Sequence, residues 1–262
     1  MSSPPPRLSQ KERHAQILAL LRRDGVVRIA TLAQTFDVTT ETARRDLDAL
    51  ATTGALQRTY GGGANRSLID EPGIRQRGLA HPSARSRIAA AAAGLVEAGD
   101  ALLIDAGSTT SLFAAALAAR NLHLTVVTNC VPVATALGAA DRCRVILCPG
   151  EFVPREGGVF GSETVAFLAR YRANKAFIGA GGVTTDGVTD ADSAACAVKR
   201  TMLERAERAL LVADSSKFGT VQFERFATLA DIDDLVTETP APRKLDAALK
   251  GAGVTVRLAL RG

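Results

Sequence analysis

No tryptophan occurs in the 262-residue chain, and aromatic residues make up only 4% of it. That scarcity argues against a surface built to stack unpaired bases, which relies on rows of aromatic rings. Cysteines are also few: Cys130, Cys143, Cys148 and Cys196, with no CxxC spacing among them. The three histidines, His14, His81 and His123, are scattered. A zinc site needs clustered ligands, so no metal and no cofactor is expected, and the thiols read as buried side chains in a reducing compartment. No apolar run reaches the 18 residues of a membrane span. The alanine-rich stretch 88–96 is too short, and the N-terminal MSSPPPRLSQ lacks an apolar signal core. A cytoplasmic protein with no membrane partner is expected. The pattern GxxxxGK followed by Ser or Thr is missing, which argues against a P-loop. The stretch Gly179-Ala-Gly-Gly-Val-Thr184 lacks the third glycine and the downstream acid of a dinucleotide fingerprint.

What is present begins with charge. The formal excess of +5 is uneven: residues 1–66 carry ten Lys/Arg against six Asp/Glu, and 67–262 carry 22 against 21. An acidic partner for the N-terminal quarter follows, with nucleic acid the commonest. Residues 1–10 are Pro/Ser-rich and read as a disordered tail. Lys11–Arg23 reads as a helix with Ile17, Leu18 and Leu21 on one face, stopped by Asp24-Gly25. Residues 26–29 fit a short strand. Leu32, Ala33 and Phe36 space like the inner face of a second helix, and Asp37-Val38 turns the chain. Thr39 then caps a third helix running to about Thr53, with Gly54 as its stop. Residues 55–60 run into Gly61-Gly62-Gly63 like a two-stranded wing.

Around the third helix, steps of about 100° per residue put Ala43, Leu47, Leu50 and Ala51 on one side. Arg45 falls nearly opposite, free to meet the two acceptors of a guanine edge. Arg44 on the flank and Arg58 in the wing suit phosphates, and Thr40 and Thr42 suit phosphate or base. A solvated face carrying an Arg45–Glu41 pair would explain the arginines on an isolated helix. The preceding helix, the turn, the wing glycines and the local charge together favour double-stranded operator DNA as partner. Residues Arg13, Ile17, Leu32-Ala33, Phe36-Asp37-Val38-Thr39, Thr42, Arg44-Arg45-Asp46-Leu47, Leu50, Gly54, Leu56, Arg58 and Gly61-Gly62 resemble the DeoR-type winged helix-turn-helix. Thr39 stands where that family usually has Ser, Ala43 where it has a branched aliphatic residue, and Tyr60 where it has His. The expected DNA-facing set is Thr39, Thr40, Thr42, Arg44, Arg45 and Arg58.

Residues 64–84 mix Asn, Pro, Gly and charge and read as a linker, leaving 11–63 as the DNA-binding domain and 85–262 as a larger domain. In the latter, apolar runs at 101–104, 124–127, 144–148, 175–178, 209–212, 234–237 and 254–260 read as strands. They alternate with helical stretches near 86–97, 109–119, 131–139, 163–170, 193–208 and 242–250. This alternation predicts an α/β fold with a largely parallel sheet and helices on both faces.

Four loops after strands carry small polar residues: 105–110, 128–129, 179–182 and 214–217. Ligands of open parallel sheets sit beyond the carboxyl ends of the strands. Glycine lets backbone N–H groups approach an anion, Ser and Thr add donors, and Lys217 adds a charge. Asp105 and Asn129 suit sugar hydroxyls. Asp105-Ala-Gly-Ser-Thr-Thr110, Val127-Thr-Asn129, Gly161, Ala176–Gly179, Gly187-Val-Thr189, Lys199-Arg200 and Asp214–Gly219 resemble the DeoR-type sensor domain. That domain is similar to ribose-5-phosphate isomerase and glucosamine-6-phosphate deaminase. The two resemblances span about residues 11–238. Pro149-Gly150 replaces a usual glycine pair, Arg85 or Arg87 a frequent Lys, and Ala195 a frequent Glu.

The resemblance implies a phosphorylated sugar as effector, with Asp105, Gly107, Ser108, Thr109, Thr110, Thr128, Asn129, Gly150, Gly181, Gly182 and Lys217 as its expected site. Lys199 reads as a solvated helix residue. The expected function is a repressor of a sugar or polyol operon, not an enzyme, acting as a dimer or tetramer on repeated half-sites. The alternative is a sugar-phosphate isomerase or deaminase with an appended DNA-binding domain. Proton abstraction needs a positioned carboxylate, for which Asp105 and Asp214 are the candidates, yet no paired-carboxylate or His–acid arrangement stands out.

Overall fold

The computed structural model describes residues 8–24, 26–52, 55–59, 61–64 and 73–259. Residues 1–7, Gly25, Thr53-Gly54, Tyr60, the linker stretch 65–72, residues 260–262 and the side chain of Arg58 lie outside that description. Helix α1 (Gln10–Asp24) opens on a capping box: Ser9 Oγ accepts from the Glu12 N–H, and the Glu12 carboxylate accepts from the Ser9 N–H at 2.8 Å. Ordered structure therefore reaches into the expected ten-residue tail. Strand β1 (Val26–Arg28) leads into α2 (Ile29–Phe36). Asp37, at φ 50°, ends α2 in the left-handed region that Asp tolerates, and the Val38 N–H reaches back to the Ala33 carbonyl at 3.0 Å. Helix α3 (Thr40–Thr52) starts where Thr39 Oγ1 accepts from the Thr42 N–H at 3.1 Å.

Strands β2 (Gln57–Thr59) and β3 (Gly62–Ala64) complete a three-stranded antiparallel wing in the order β1-β3-β2. The expected two-stranded wing gains β1 because its residues pair with β3 from Val26–Ala64 to Arg28–Gly62. A Cβ at Gly62 would strike the Val27 carbonyl oxygen, so this close approach requires glycine. Ile17, Leu21, Leu32, Phe36, Leu47, Leu50 and Leu56 form the core of this head.

Two helices follow, α4 (Ile74–Leu79) and α5 (Pro82–Ala93). Beyond them β4 (Ala101–Ile104), α6 (Ser108–Ala118), β5 (Leu124–Thr128), α7 (Val131–Gly138) and β6 (Cys143–Leu147) alternate regularly. A short hairpin, β7 (Glu151–Val153) with β8 (Gly158–Phe160), precedes α8 (Ser162–Leu168) and β9 (Ala173–Ile178). Strands β10 (Gly182–Thr184) and β11 (Gly187–Asp190) lead to α9 (Ser193–Arg205) and β12 (Ala206–Val212). The chain ends through β13 (Glu224–Ala227), β14 (Asp234–Thr237), α10 (Arg243–Gly251) and β15 (Thr255–Leu258).

Seven strands make one parallel sheet in the order β15-β14-β12-β9-β4-β5-β6. They are the seven apolar runs read from the sequence. Alternate residues feed opposite faces, as a strand's period of two demands. Leu102, Ile104, Phe177, Leu210 and Val212 pack against α5, α6 and α7, where Phe113 stacks on Phe177 at 4.2 Å. Leu103, Ala176, Ile178 and Leu211 pack against α8, α9 and α10. Burial on both faces explains why these strands are near-continuous apolar runs.

Two expectations need correction. The stretch 64–84 is not all linker: α4 lies within it and α5 begins at Pro82. Helix α4 is docked on the larger domain, its Ile74 N–H donating to the Arg155 carbonyl at 2.8 Å and Arg77 pairing with Glu156 at 2.6 Å. The second concerns the short strands β7, β8, β10, β11 and β13, which the strand–helix alternation did not reveal. No described helix is long and apolar enough to cross a membrane.

Candidate DNA interface and ligand cavity

On α3, Ala43, Leu47 and Leu50 are buried, while the Arg45 side chain is 79% exposed and Arg44 is exposed beside it. Glu41 reaches both, at 3.2 Å to Arg44 and 3.4 Å to Arg45. Exposed helical pairs of this kind contribute only a few tenths of a kcal/mol, so Glu41 does not fix either arginine. Thr39 and Thr40 are exposed, and Thr42 is half-buried with its hydroxyl 2.9 Å from that of Thr39. The five described candidates thus sit together at the N-terminal half of α3. From the opposite face, Asp46 anchors the helix through Arg13 and His14 of α1.

In the larger domain a cavity of about 310 Å³ opens at the carboxyl ends of β4, β9 and β12. Gly107, Ser108 and Thr109 line it from the first turn of α6, and Lys217 lines it from the turn after β12. An uncapped helix start presents N–H donors and the positive end of the helix dipole. The remaining expected residues do not form its wall. Thr110 is buried with its hydroxyl on the Gly107 carbonyl. Thr128 donates to the Ile104 carbonyl at 2.6 Å, and Asn129 bridges the Ala106 N–H to the Val159 carbonyl. Both brace the cavity loop from behind. Gly150, at φ 144°, sits under Phe160 and Thr164. Gly181 and Gly182 pack under Gln222 and Thr220, where any Cβ would collide.

Asp105 lies just behind the wall, fully buried, and pairs with Lys199. Lys199 is 3% exposed, correcting its expected solvation. Its ammonium also donates to the Gly179 carbonyl at 3.1 Å, meets Asp190 at 3.4 Å and lies over the Phe226 ring. Burial alone would lower its pKa, but Asp105 and Asp190 more than offset that and hold it charged. Burial raises the Asp105 carboxyl, with Lys199 opposing. One Asp105 oxygen, Oδ1, is buried with no partner among the described residues.

The wall also contains residues outside the site expected from the sequence: Arg77, Arg85, Arg155, Asp190, Asp192 and Ser193. Arg85 is 3% exposed and bonds Asp214 at 2.9 Å and Ser108 at 2.8 Å. Burial raises the Asp214 carboxyl, but the Ser216 hydroxyl and Arg85 outweigh it and hold the group below its ordinary value. A signal for Lys199 existed: Ala195, Cys196 and Met202 share its helical face and all are buried.

An exposed arginine helix on a winged head, joined to a polar cavity at the strand ends of a parallel sheet, defines a DNA-binding regulator with a ligand-sensing domain. Residues 13–67 match the DeoR-like helix-turn-helix domain, and residues 80–239 match the DeoR C terminal sensor domain. The chain is 31% identical over 236 residues to the glycerol-3-phosphate regulon repressor of Escherichia coli K12, covering 90% of this chain and 93% of that one. It is 29% identical over 252 residues to the transcriptional repressor CsqR of the same strain, covering 96% of both chains. Among solved structures, ribose 5-phosphate isomerase A of Methanocaldococcus jannaschii aligns with TM-score 0.40 and 16% identity, over 53% of this chain and 55% of that one. The chain belongs to the DeoR family of DNA-binding transcriptional regulators.

Proposed function

We propose that the protein represses genes of sugar or polyol catabolism and releases its operator when a phosphorylated sugar or polyol occupies the cavity. The observation that carries this reading is the wall chemistry. Arg85, Lys217, Ser108 and Thr109 supply donors and charge for a phosphate, while Asp190, Asp192 and Ser193 supply acceptors for hydroxyls. The relatives named as repressors, one of them of a glycerol-3-phosphate regulon, support it. Arg45 would read a base edge from α3, with Arg44 and Arg58 on phosphates. Dimers or tetramers would place heads on repeated half-sites. The ligand acts only by binding one arrangement of heads and sensors better than the other.

Catalysis is not part of this proposal. Proton abstraction beside a carbonyl needs an available carboxylate. Here Asp105 and Asp190 are tied to Lys199, Asp214 to Arg85 and Ser216, Glu156 to Arg77, and Asp192 caps α9 through the Ala195 N–H. The test is fluorescence anisotropy of the protein on DNA from upstream of its own gene. Glycerol 3-phosphate, ribose 5-phosphate and glucosamine 6-phosphate are titrated in turn. At least one is expected to weaken binding tenfold or more while its dephosphorylated form does nothing. Tight binding indifferent to every phosphorylated probe rejects the effector class.

A further inference from the structure

One guanidinium joins the cavity to the segment that leads toward the DNA-binding head. Arg85 donates from Nε to Asp214, and from Nη1 to Ser108 Oγ and to the Arg77 carbonyl in the last turn of α4. These bonds use three of its five N–H groups. No described residue accepts from Nη2, although the side chain is 97% buried by its 3% exposure and lines the cavity. A buried guanidinium with both Nη2 hydrogens left over, at the wall of a polar cavity, suits the oxygens of a phosphate or carboxylate.

We propose that Arg85 holds the anionic group of the ligand and that, through the same guanidinium, α4 forms part of the ligand site. Occupancy of the cavity and docking of the linker helix are then one equilibrium. This rests on the sugar-phosphate reading and adds to it the residue that holds the phosphate and the element that senses it.

Helix α4 has six residues, too short to persist without tertiary support. Its ties run to the cavity rim: Ile74 to the Arg155 carbonyl, Arg77 to Glu156, and the Arg77 carbonyl to Arg85. Arg77, Arg155 and Glu156 themselves line the cavity. An anion seated there draws Arg77 and Arg85 together and reduces the repulsion between neighbouring cations. Because Arg77 belongs to the wall only while α4 is docked, the ligand binds the docked state better and favours it. By reciprocity, anything that loosens α4 weakens the ligand. Strand β3 ends at Ala64 and α4 begins at Ile74, so docking fixes where the tether to the head starts.

The test uses the full chain and hydrogen–deuterium exchange at amides 74–79, with glycerol 3-phosphate, ribose 5-phosphate and glucosamine 6-phosphate as probes and inorganic phosphate as the bare anion. A probe that raises Tm is expected to slow exchange in α4 at least tenfold. Arg85→Lys, which keeps the charge and loses the Nη2 donors, is expected to weaken that probe at least tenfold. Ile74→Pro removes the N–H donated to Arg155 and trims the side chain that lies beside Gly157, both ties of α4 to the larger domain. Proline suits the first position of a helix, and Gly73 already has the extended backbone that precedes proline. It touches no ligand, yet it is expected to weaken the probe several-fold. If a probe raises Tm while exchange at 74–79 stays unchanged and Ile74→Pro binds like wild type, the coupling is wrong and the sugar-phosphate reading survives. Normal affinity in Arg85→Lys removes Arg85 as the anion's holder. If no phosphorylated probe raises Tm, both readings fail together.

Discussion

Arg13 and Asp46, 33 residues apart, form a two-pronged pair across the head: Nε meets Oδ2 at 2.7 Å and Nη2 meets Oδ1 at 3.1 Å. Asp46 is 2% exposed, and His14 approaches the same carboxylate at 3.2 Å. The pair fixes the roll of α3 against α1, turning Arg44 and Arg45 outward. Arg13 is part-buried and can reach solvent, so removing Asp46 costs about 1–3 kcal/mol through the lost charged hydrogen bonds. Asp46→Ala is therefore expected to melt the head well before the sensor domain. Calorimetry showing one unshifted transition would contradict this.

Arg45→Ala has a different expected signature. It leaves the head folded, since Arg45 packs against nothing buried. It should cost about 1–3 kcal/mol of operator affinity and relax sequence preference at one position. Arg44→Ala should weaken all sequences alike and reduce the slope of log K against log salt by about one. Binding isotherms over a salt series on operator and scrambled DNA separate the two. Identical behaviour of the two variants would undo the assignment of base and phosphate roles.

Lys199→Met is expected to destabilise the sensor domain by about 3–5 kcal/mol, since it leaves Asp105 and Asp190 facing each other in a closed space. Adding Asp105→Asn should restore part of the loss. Urea denaturation of the two single variants and the double variant measures the coupling. Strictly additive losses would mean that the ammonium and the carboxylate act independently.

The seven central strands were legible because burial on both faces leaves an unbroken apolar run. The turn at Asp37 and the cap at Thr39 were legible because each follows from local chemistry. Strands β10, β11 and β13 were not, since three or four residues such as Gly182-Val-Thr184 carry too little pattern. The cavity wall was legible only where it is a loop directly after a strand. Arg85 and Lys199 sit on helices, and their partners Asp214 and Asp105 lie 129 and 94 residues away. In a linear chain such cations look like ordinary surface charge. Thr128, the last residue of β5, and Asn129 just after it illustrate the converse, polar residues at a strand end that turn inward to brace their neighbours.

Acid should act on two carboxyls in opposite senses. Asp214 is held below its ordinary 3.8 in the folded state, so its contribution is complete above that value and fades as pH falls through the lower folded value. Asp105 is raised above 3.8 by burial, so between its folded value and 3.8 the folded state binds the proton more tightly and acidification favours it. Denaturation of wild type against Asp214→Asn from pH 6 to 3 is expected to show the wild-type advantage shrinking only below about 4. An advantage that vanishes by pH 5.5 would mean that Asp214 is not depressed.

The four thiols should differ sharply in reactivity. Burial pushes Cys148 and Cys196 up to about 12, leaving about one thiolate in ten thousand at pH 8. Cys130 is buried as well, whereas Cys143 is part-exposed on the edge strand β6. A thiol-reactive disulfide reagent at pH 8 is expected to label Cys143 first and the others only on unfolding. Rapid labelling of Cys196 in the native protein would count against its packing.

The family match stops at residue 239, but the sheet does not. Strand β15 pairs along the whole of β14, and its Arg257 meets the buried Asp234 at 2.5 Å while Arg208 meets the same carboxylate at 2.6 Å from the other side. A sensor fragment trimmed at 239 would bare a full row of backbone donors and acceptors and strip Asp234 of one of its two counter-charges. Such an open edge invites self-association. A protease clip or engineered truncation is therefore benign only if it falls after residue 259, and shorter versions of this domain should precipitate.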